Sequence, residues 1–281
     1  SQIGQSECTV GPTGLPGVWM HQWELLVTLP GPCDNWTFGY TSCCRNTTTN
    51  LTTQDSYYFE TTLYNTTSPT NNSALIASQP IPYVCVNQAV NFNMAAYDPD
   101  GNTLVYSFIP AMTTGPATSV TYNGGYSATV PIPGITIDPN TGQINFLPTL
   151  VGNYVVAVLI EEYDSNGNLV GTVVQDFQFE VINCTNIVPN TPVGGVTNYT
   201  GGGGTTGPNS IQVCEGDSFC FDLTFTDNDA SNTLVVNSNI TTIFPTATLT
   251  ITGTNPVTAS VCYTVQPGDP TFSTVSFTVE D

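Results

Sequence analysis

Lysine is absent from this sequence, and the other bases nearly so: Arg45 and His21 stand alone against 21 acidic residues, for a net charge of −20. Nucleic acids and anionic lipid surfaces are bound through Lys and Arg, so both are excluded as partners. Base catalysis or a Schiff base would have to run through His21 alone. A zinc site with several His ligands and a Lys–Asn isopeptide staple are both impossible. No CxxC pair gives zinc-ribbon spacing, and no G-x-S-x-G marks a hydrolase nucleophile. The run Gly201–Gly204 is not a phosphate loop, because no Lys follows it. No apolar run reaches the 18 residues of a membrane helix. Paired acids such as Glu161 and Glu162 cannot readily flank one glycosidic bond, since neighbours in a strand point to opposite faces.

Only 8% of the residues are charged, so the polar surface must be built from Thr, Asn, Ser and Gln. The nine cysteines are scattered through a Thr- and Asn-rich chain, which indicates disulfides and an oxidising compartment. The polar start, SQIGQSEC, suits a mature N-terminus after signal cleavage. Asn-x-Ser/Thr sequons fall at Asn35, Asn46, Asn50, Asn65, Asn71, Asn183, Asn198 and Asn239. They read as a by-product of Asn and Thr richness.

Helical periodicity is missing, while short alternating segments recur between Gly, Pro, Asn and Asp turns. In VWMHQWELLVTLP, residues Trp19, His21, Trp23, Leu25 and Val27 share one face, which reads as core, with His21 structural. NYVVAVLIEEY and VVQDFQFEVI read as further strands. The expected class is all-β, in tandem Ig-like sandwiches stapled by disulfides.

The phrase VCVNQAVNFNMAAYDPDGNTLVYS from Val84 recurs as VCEGDSFCFDLTFTDNDASNTLVVNS from Val213. Cys85 falls on Cys214, Phe92 on Phe221, Met94 on Leu223, Asp98 on Asp227 and Asp100 on Asp229; one insertion later Leu104 falls on Leu234. This predicts a Cys-rich β domain over 1–78, a sandwich over 79–185, a Gly-rich linker over 186–209 and a second sandwich over 210–281. That last module has fewer residues than its twin, so it reads as truncated at its C-terminal end. Cys85 follows the first strand of the middle sandwich and Cys184 closes the last, so parallel strands would let them bond. Cys220 and Cys262 suit a bridge between sheets, and Cys8, Cys33, Cys43 and Cys44 can make two bridges. Cys214 is then expected to pair beyond Asp281.

The stretch AAYDPDGNTLVYSF, followed by GITIDPNTGQINFLPTLVGNYVVAVLIEEYD, resembles the cadherin-like and Ig-like modules of bacterial surface proteins. The matching positions are Asp98, Asp100, Gly101, Leu104, Tyr106, Gly134, Ile137, Asp138, Thr141, Gly142, Ile144, Pro148, Gly152 and Tyr154, with Asp164 at a late aspartate position. They cover about a third of the chain; the last module lacks the DPNTG turn. With CCRN and VCEGDSFCF nearby, the context is similar to the large gliding-motility-associated, adhesin-like proteins of Bacteroidota. That resemblance implies type IX secretion and display on the cell surface.

The acidic turns at Asp98, Asp100 and Asn102, and at Asp227 and Asp229, place oxygen ligands close together, as calcium requires. Glu161, Glu162, Asp164, Asn166 and Asn168 form a second oxygen-rich group, expected at the far end of the middle module, with Glu161 and Asp164 as its candidate ligands. The same residues also serve simply as turn formers. Trp36 and Tyr40 could stack on a sugar. The expected function is a non-enzymatic extracellular stalk or adhesin. A filament subunit that associates with itself, or a carbohydrate-binding module, is the alternative. The ligand is a surface or extracellular glycan or protein of unknown identity; no membrane insertion is expected, and calcium is the one cofactor considered.

Overall fold

The computed structural model describes residues 22–77, 83–192 and 194–281. The chain divides into a segment ending at Pro32 and a body from Cys33 to Asp281.

In the first unit, the described residues 22–32 form no strand. Leu25 is 84% exposed and Leu26 97%, and Trp23 and Val27 are exposed too. The core-facing strand expected here is therefore not formed over its described part, because apolar alternation yields a strand only where a neighbouring strand takes up the backbone. Trp19, His21 and Cys8 lie outside the described residues.

The body is all-β. Its first part contains β1 (Trp36–Ser42), β2 (Tyr57–Leu63), β3 (Leu75–Ile76), β4 (Tyr83–Cys85), β5 (Val90–Asn93), β6 (Ala96–Tyr97) and β7 (Thr103–Phe108). It continues with β8 (Thr136–Ile137), β9 (Gln143–Phe146), β10 (Gly152–Tyr163) and β11 (Leu169–Ile182). One sheet runs β1-β2-β11-β10-β7, with β4 added parallel to the end of β11; β5-β9-β8 forms the facing sheet. A short β3–β6 pair stands beside them.

The β10–β11 hairpin is buried on both sides. On one face Val156, Val158, Ile160, Phe177 and Phe179 meet Phe92, Ile144 and Phe146 of the second sheet. On the other, Val155 and Ala157 lie under Leu51, Ala111 and Val120, while Val174 lies under Tyr58 and Met112. A strand covered on both faces must be apolar at successive positions, which accounts for YVVAVLI. Each large side chain so buried contributes about 1.5–3 kcal/mol.

The N-terminal part of the body is tied into this sheet. β2 pairs with β11 over Thr61–Leu63, so the expected separate domain ending at residue 78 has no sheet of its own. Arg45 reinforces the join. Its guanidinium grips both carboxylate oxygens of Asp176, at 2.7 and 2.5 Å, and donates to Met112 O. The two side chains are 3% and 6% exposed. Asn50, fully buried, donates to Pro131 O and Val155 O and accepts from Val155 N. This sequon and that of Asn239, also buried, therefore serve packing and cannot carry glycans in the folded chain.

The second part contains β12 (Thr197–Gly201), β13 (Gly204–Gly207), β14 (Ser210–Gln212), β15 (Ser218–Phe225), β16 (Val235–Ser238), α1 (Ile240–Ile243), β17 (Thr248–Gly253), β18 (Val257–Thr264) and β19 (Phe277–Glu280). One sheet runs β12-β15-β18-β17, facing the β16–β19 pair, and β13–β14 is a separate ribbon. The C-terminal part of the expected Gly-rich linker therefore carries two strands, β12 and β13. Gly201 and Gly203 have φ of +111° and +73°, and a Cβ would strike Ser218 O or Gln212 O respectively. Glycine is needed there for close backbone approach, not for looseness.

The two sandwiches repeat one pattern. Phe92 faces Ile144 across β5–β9, and Phe221 faces Val261 across β15–β18. Val105 faces Glu161 across β7–β10, and Val235 faces Glu280 across β16–β19. Cys85 is bonded to Cys184, and Cys220 to Cys262. The second bridge joins register partners on adjacent strands of one sheet, so it does not cross between sheets. Cys43 and Cys44 are bonded to each other, and Cys33 and Cys214 are free.

Candidate functional site

Asp98 opens the turn between β6 and β7. Its Oδ1 accepts from the amides of Asp100 at 2.8 Å and Asn102 at 3.0 Å. Such a turn needs Asp or Asn at its first position, because the side chain closes the backbone on itself. Asp98 is only 8% exposed, and its Oδ2 is buried with no hydrogen-bond partner. Burial pushes its pKa up, against the turn amides, which pull it down.

Glu162, fully buried near the end of β10, comes to the same place. Oε1 accepts from Ala74 N at 2.7 Å and Oε2 from Asn71 Nδ2 at 2.8 Å. Asn71 Oδ1 in turn accepts from Asn102 Nδ2 at 2.8 Å. Asp100 accepts from the backbone and side-chain amides of Asn72. The Glu162 carboxyl is also pushed up, mainly by burial, with Asp98 and Asp100 adding repulsion. Gly171 faces Glu162 across the hairpin, and a Cβ there would run into the Glu162 carboxylate.

The second module rebuilds this arrangement in part, with Asp227 buried and Asp229, Asp281 and Asn186 exposed. Asp227, 7% exposed, also leaves Oδ2 buried without a partner, while Oδ1 accepts from Asp229 N. Asn232 Nδ2 donates to Asn186 Oδ1 at 3.3 Å and to Asp281 Oδ2 at 2.7 Å, and Asn186 Nδ2 donates to Asp281 Oδ2. The register that sets Glu280 opposite Val235 puts Asp281 where Glu162 stands. Asn186 thus plays the part of Asn71, and Asn232 that of Asn102. Each cluster joins an acidic turn, a late acid and an asparagine from the segment entering the module.

Of the expected calcium residues, Asp98, Asp100 and Asn102 are brought together, as are Asp227 and Asp229. Glu161 is not part of the cluster: it accepts from Tyr163 OH, while its neighbour Glu162 faces Asp98 and Asp100 closely enough to feel their charge. The expected far-end grouping is thereby corrected, since Glu162 lies at the Asp98 end. Asp164 serves its own exposed turn, accepting from Asn166 N and from both amides of Asn168. Those bonds, the Asn168 side chain first, hold its pKa low. Trp36 and Tyr40 share a face of β1, both half-buried; Tyr40 packs on Phe59 with ring centroids 5.4 Å apart.

No three His, Cys, Asp or Glu side chains among the described residues are gathered as a ready metal nest. The clusters are mixed sets in which asparagine amides sit between the acids. The residue types nonetheless fit a hard cation, which takes carboxylate and amide oxygens together. The Oδ2 atoms of Asp98 and of Asp227 are buried without a hydrogen-bond partner. A small cleft of about 20 Å³, bordered by Asp98, Gly101, Asn102 and Asn140 from one module and Ile243, Phe272 and Ser273 from the next, adjoins the first cluster. A space of that order holds about one water-sized occupant. A wider, open groove of about 300 Å³ lies over the Cys220–Cys262 bridge, lined by Thr200, Ser218, Phe219, Thr248, Tyr263 and Thr264.

No helix among the described residues is long and apolar enough to cross a membrane. No known protein family matches the chain, and no curated protein matches it. Among solved structures the chain is similar to the sialic acid binding region of the Streptococcus sanguinis SK1 adhesin bound to 3'sLn. That similarity has 13% identity over 70% of this chain and 69% of that one, with a TM-score of 0.26.

Proposed function

We propose that this chain is a stalk segment of a non-enzymatic, extracellular adhesin-like surface protein of the gliding-motility-associated kind, built from tandem β-sandwiches whose entry points bind calcium. The observation that carries the reading is the repeated cluster, with its partnerless buried aspartate oxygen in both modules. Carboxylates buried against one another are costly without a counter-charge, and the chain's one arginine is committed to Asp176. A divalent ion would supply the missing charge. In the first cluster Asp98, Asp100 and Glu162 would offer carboxylates and Asn71 an amide oxygen. Asp227, Asp229, Asp281 and Asn186 would do so in the second. Because Asn71 and Asn186 come from the segments leading into the modules, the ion would fix each lead-in against its sandwich. That is what a load-bearing stalk requires. Small-angle X-ray scattering tests this. Calcium should narrow the distribution of distances relative to EDTA, and identical curves would count against the reading.

The open groove favours a second reading, in which the last module binds a carbohydrate. Phe219, half-buried, offers aromatic surface, and five hydroxyl-bearing side chains, Thr200, Ser218, Thr246, Thr248 and Thr264, line the groove with it. Glycan-array binding that is lost in Phe219→Ala would support it, and loss in Trp36→Ala would move the sugar site to β1.

A further inference from the structure

We infer that the outer face of the β12-β15-β18-β17 sheet binds a neutral glycan through a row of hydroxyls and turns acidic glycans away. The inference rests on the carbohydrate reading of the open groove. It adds the charge class of the ligand and the side chains that select it, and it is independent of any ion at the acidic clusters.

Alternation fixes which side chains stand on that face. Phe221 and Leu223 of β15, and Val261 and Tyr263 of β18, enter the core. Cys220 and Asp222, and Cys262 and Thr264, therefore point the other way. The register sets them in rows across the sheet. Thr200, Cys220, Cys262 and Thr248 stand opposite one another over four strands, with the Cys220–Cys262 bridge in the middle. With neighbouring strands about 4.8 Å apart, that row is about 14 Å long, room for a short oligosaccharide. Ser218 and Thr264 form the next row, their hydroxyls 2.7 Å apart. Phe219, half-buried, adds an apolar surface to the same groove.

Thr200, Ser218, Thr248 and Thr264 are all exposed. A hydroxyl donates one hydrogen bond and accepts two. The Ser218–Thr264 pair spends one donor and one acceptor on itself, so it offers a ligand one donor and three acceptor sites. Thr248 donates to Cys262 O and keeps its lone pairs for a ligand. The row therefore accepts more than it donates, which suits sugar hydroxyls. An ionised carboxylate only accepts and finds few donors here. Charge points the same way. Asp222 stands on this face two residues along β15 from Cys220, about 6.8 Å away. Hydrogen bonds from Ser260 and Asn198 hold its pKa low, so it is ionised at pH 7. The chain has one Arg and no Lys, and that Arg is bonded to Asp176. An acidic sugar would meet a like charge without a cation to offset it, which is how a site rejects a wrong ligand.

The test is the 281-residue chain on an array that prints neutral oligosaccharides beside their sialylated forms, followed by calorimetry on the best-bound pair. The neutral member should bind at least about tenfold more tightly than the acidic one. Thr200→Val and Thr264→Val, which remove a hydroxyl at exposed positions, should each weaken it by about tenfold. Asp222→Asn should narrow the preference by improving the acidic member. An acidic member bound as tightly as the neutral one, or neutral binding that both valine variants retain, would overturn the inference. Acidic binding that is lost in Phe219→Ala would overturn it while leaving the carbohydrate reading in place. Failure of every printed glycan to bind would remove both.

Discussion

Replacing Arg45 with methionine removes the one cation that enters the body's interior. Arg45 and Asp176 are nearly sealed from water, and burial pushes the Asp176 pKa up even though Arg45 pulls it down. Taking away one partner leaves a buried carboxylate alone, which costs about 3–5 kcal/mol. The lost bond to Met112 O and the lost contact of Arg45 with the Tyr57 ring, 5.8 Å away, add about 1 kcal/mol or more. At roughly 2–4 °C per kcal/mol for a body this size, the melting midpoint should fall by about 10 °C or more. Circular dichroism melting at pH 7 would read it. The Arg45→Met/Asp176→Leu double variant should regain most of the loss, because no charge is then stranded. A single variant within about 1 kcal/mol of the parent, or a double variant as weak as the single, would refute the reasoning.

Asp98→Asn should stabilise the chain in EDTA at pH 7 by about 1–3 kcal/mol, by removing a buried charge that has no partner; urea titration would show it. The pH dependence follows from the raised carboxyls of Asp98 and Glu162. Folding favours their protonated forms, so their contribution is best below the ordinary carboxylate pKa and declines as pH rises toward the folded values. Asp138, Asp164 and Asp222, held low by hydrogen bonds, act oppositely and lose their contribution in acid. The metal-free decline with rising pH should therefore be shallower in Asp98→Asn, as urea midpoints at pH 4, 5, 6 and 7 would reveal. Gly171→Ala should cost about 1–3 kcal/mol, since its Cβ meets the Glu162 carboxylate; a melting curve matching the parent would contradict that placement. Removing the Cys85–Cys184 bridge, which closes 99 residues, should cost more than removing Cys220–Cys262, which closes 42. The entropic expectation is about 4.7 against about 4 kcal/mol, measured by denaturant unfolding of the paired Cys→Ala variants.

The repeat was legible because Cys, Phe and paired Asp recur in order, and the Phe and Asp residues hold corresponding strand and turn positions in both sandwiches. Alternation alone misled at Trp23, Leu25 and Val27, where no neighbouring strand makes apolar residues a core. Alternation held at Glu161 and Glu162, which point to opposite faces, but grouping both with Asp164 did not. Both are acids on one strand, and the register of β10 against β7, which sets Glu162 opposite Leu104, brings Glu162 to the start of β7 and so to the Asp98 turn. Asn71 and Asn186 carried no local signal, because each lies in an irregular lead-in and its role exists only through contacts far along the chain. The glycines of the 186–209 segment looked like a flexible spacer in composition, yet they mark places where two backbones touch.

Calcium titration calorimetry on the metal-free 281-residue chain, repeated on Asp98→Asn and Asp227→Asn, tests the central claim most directly. The account expects saturable binding at two sites, with one site lost in each variant. Absence of calcium heat in the parent, or binding left intact in both variants, would contradict it.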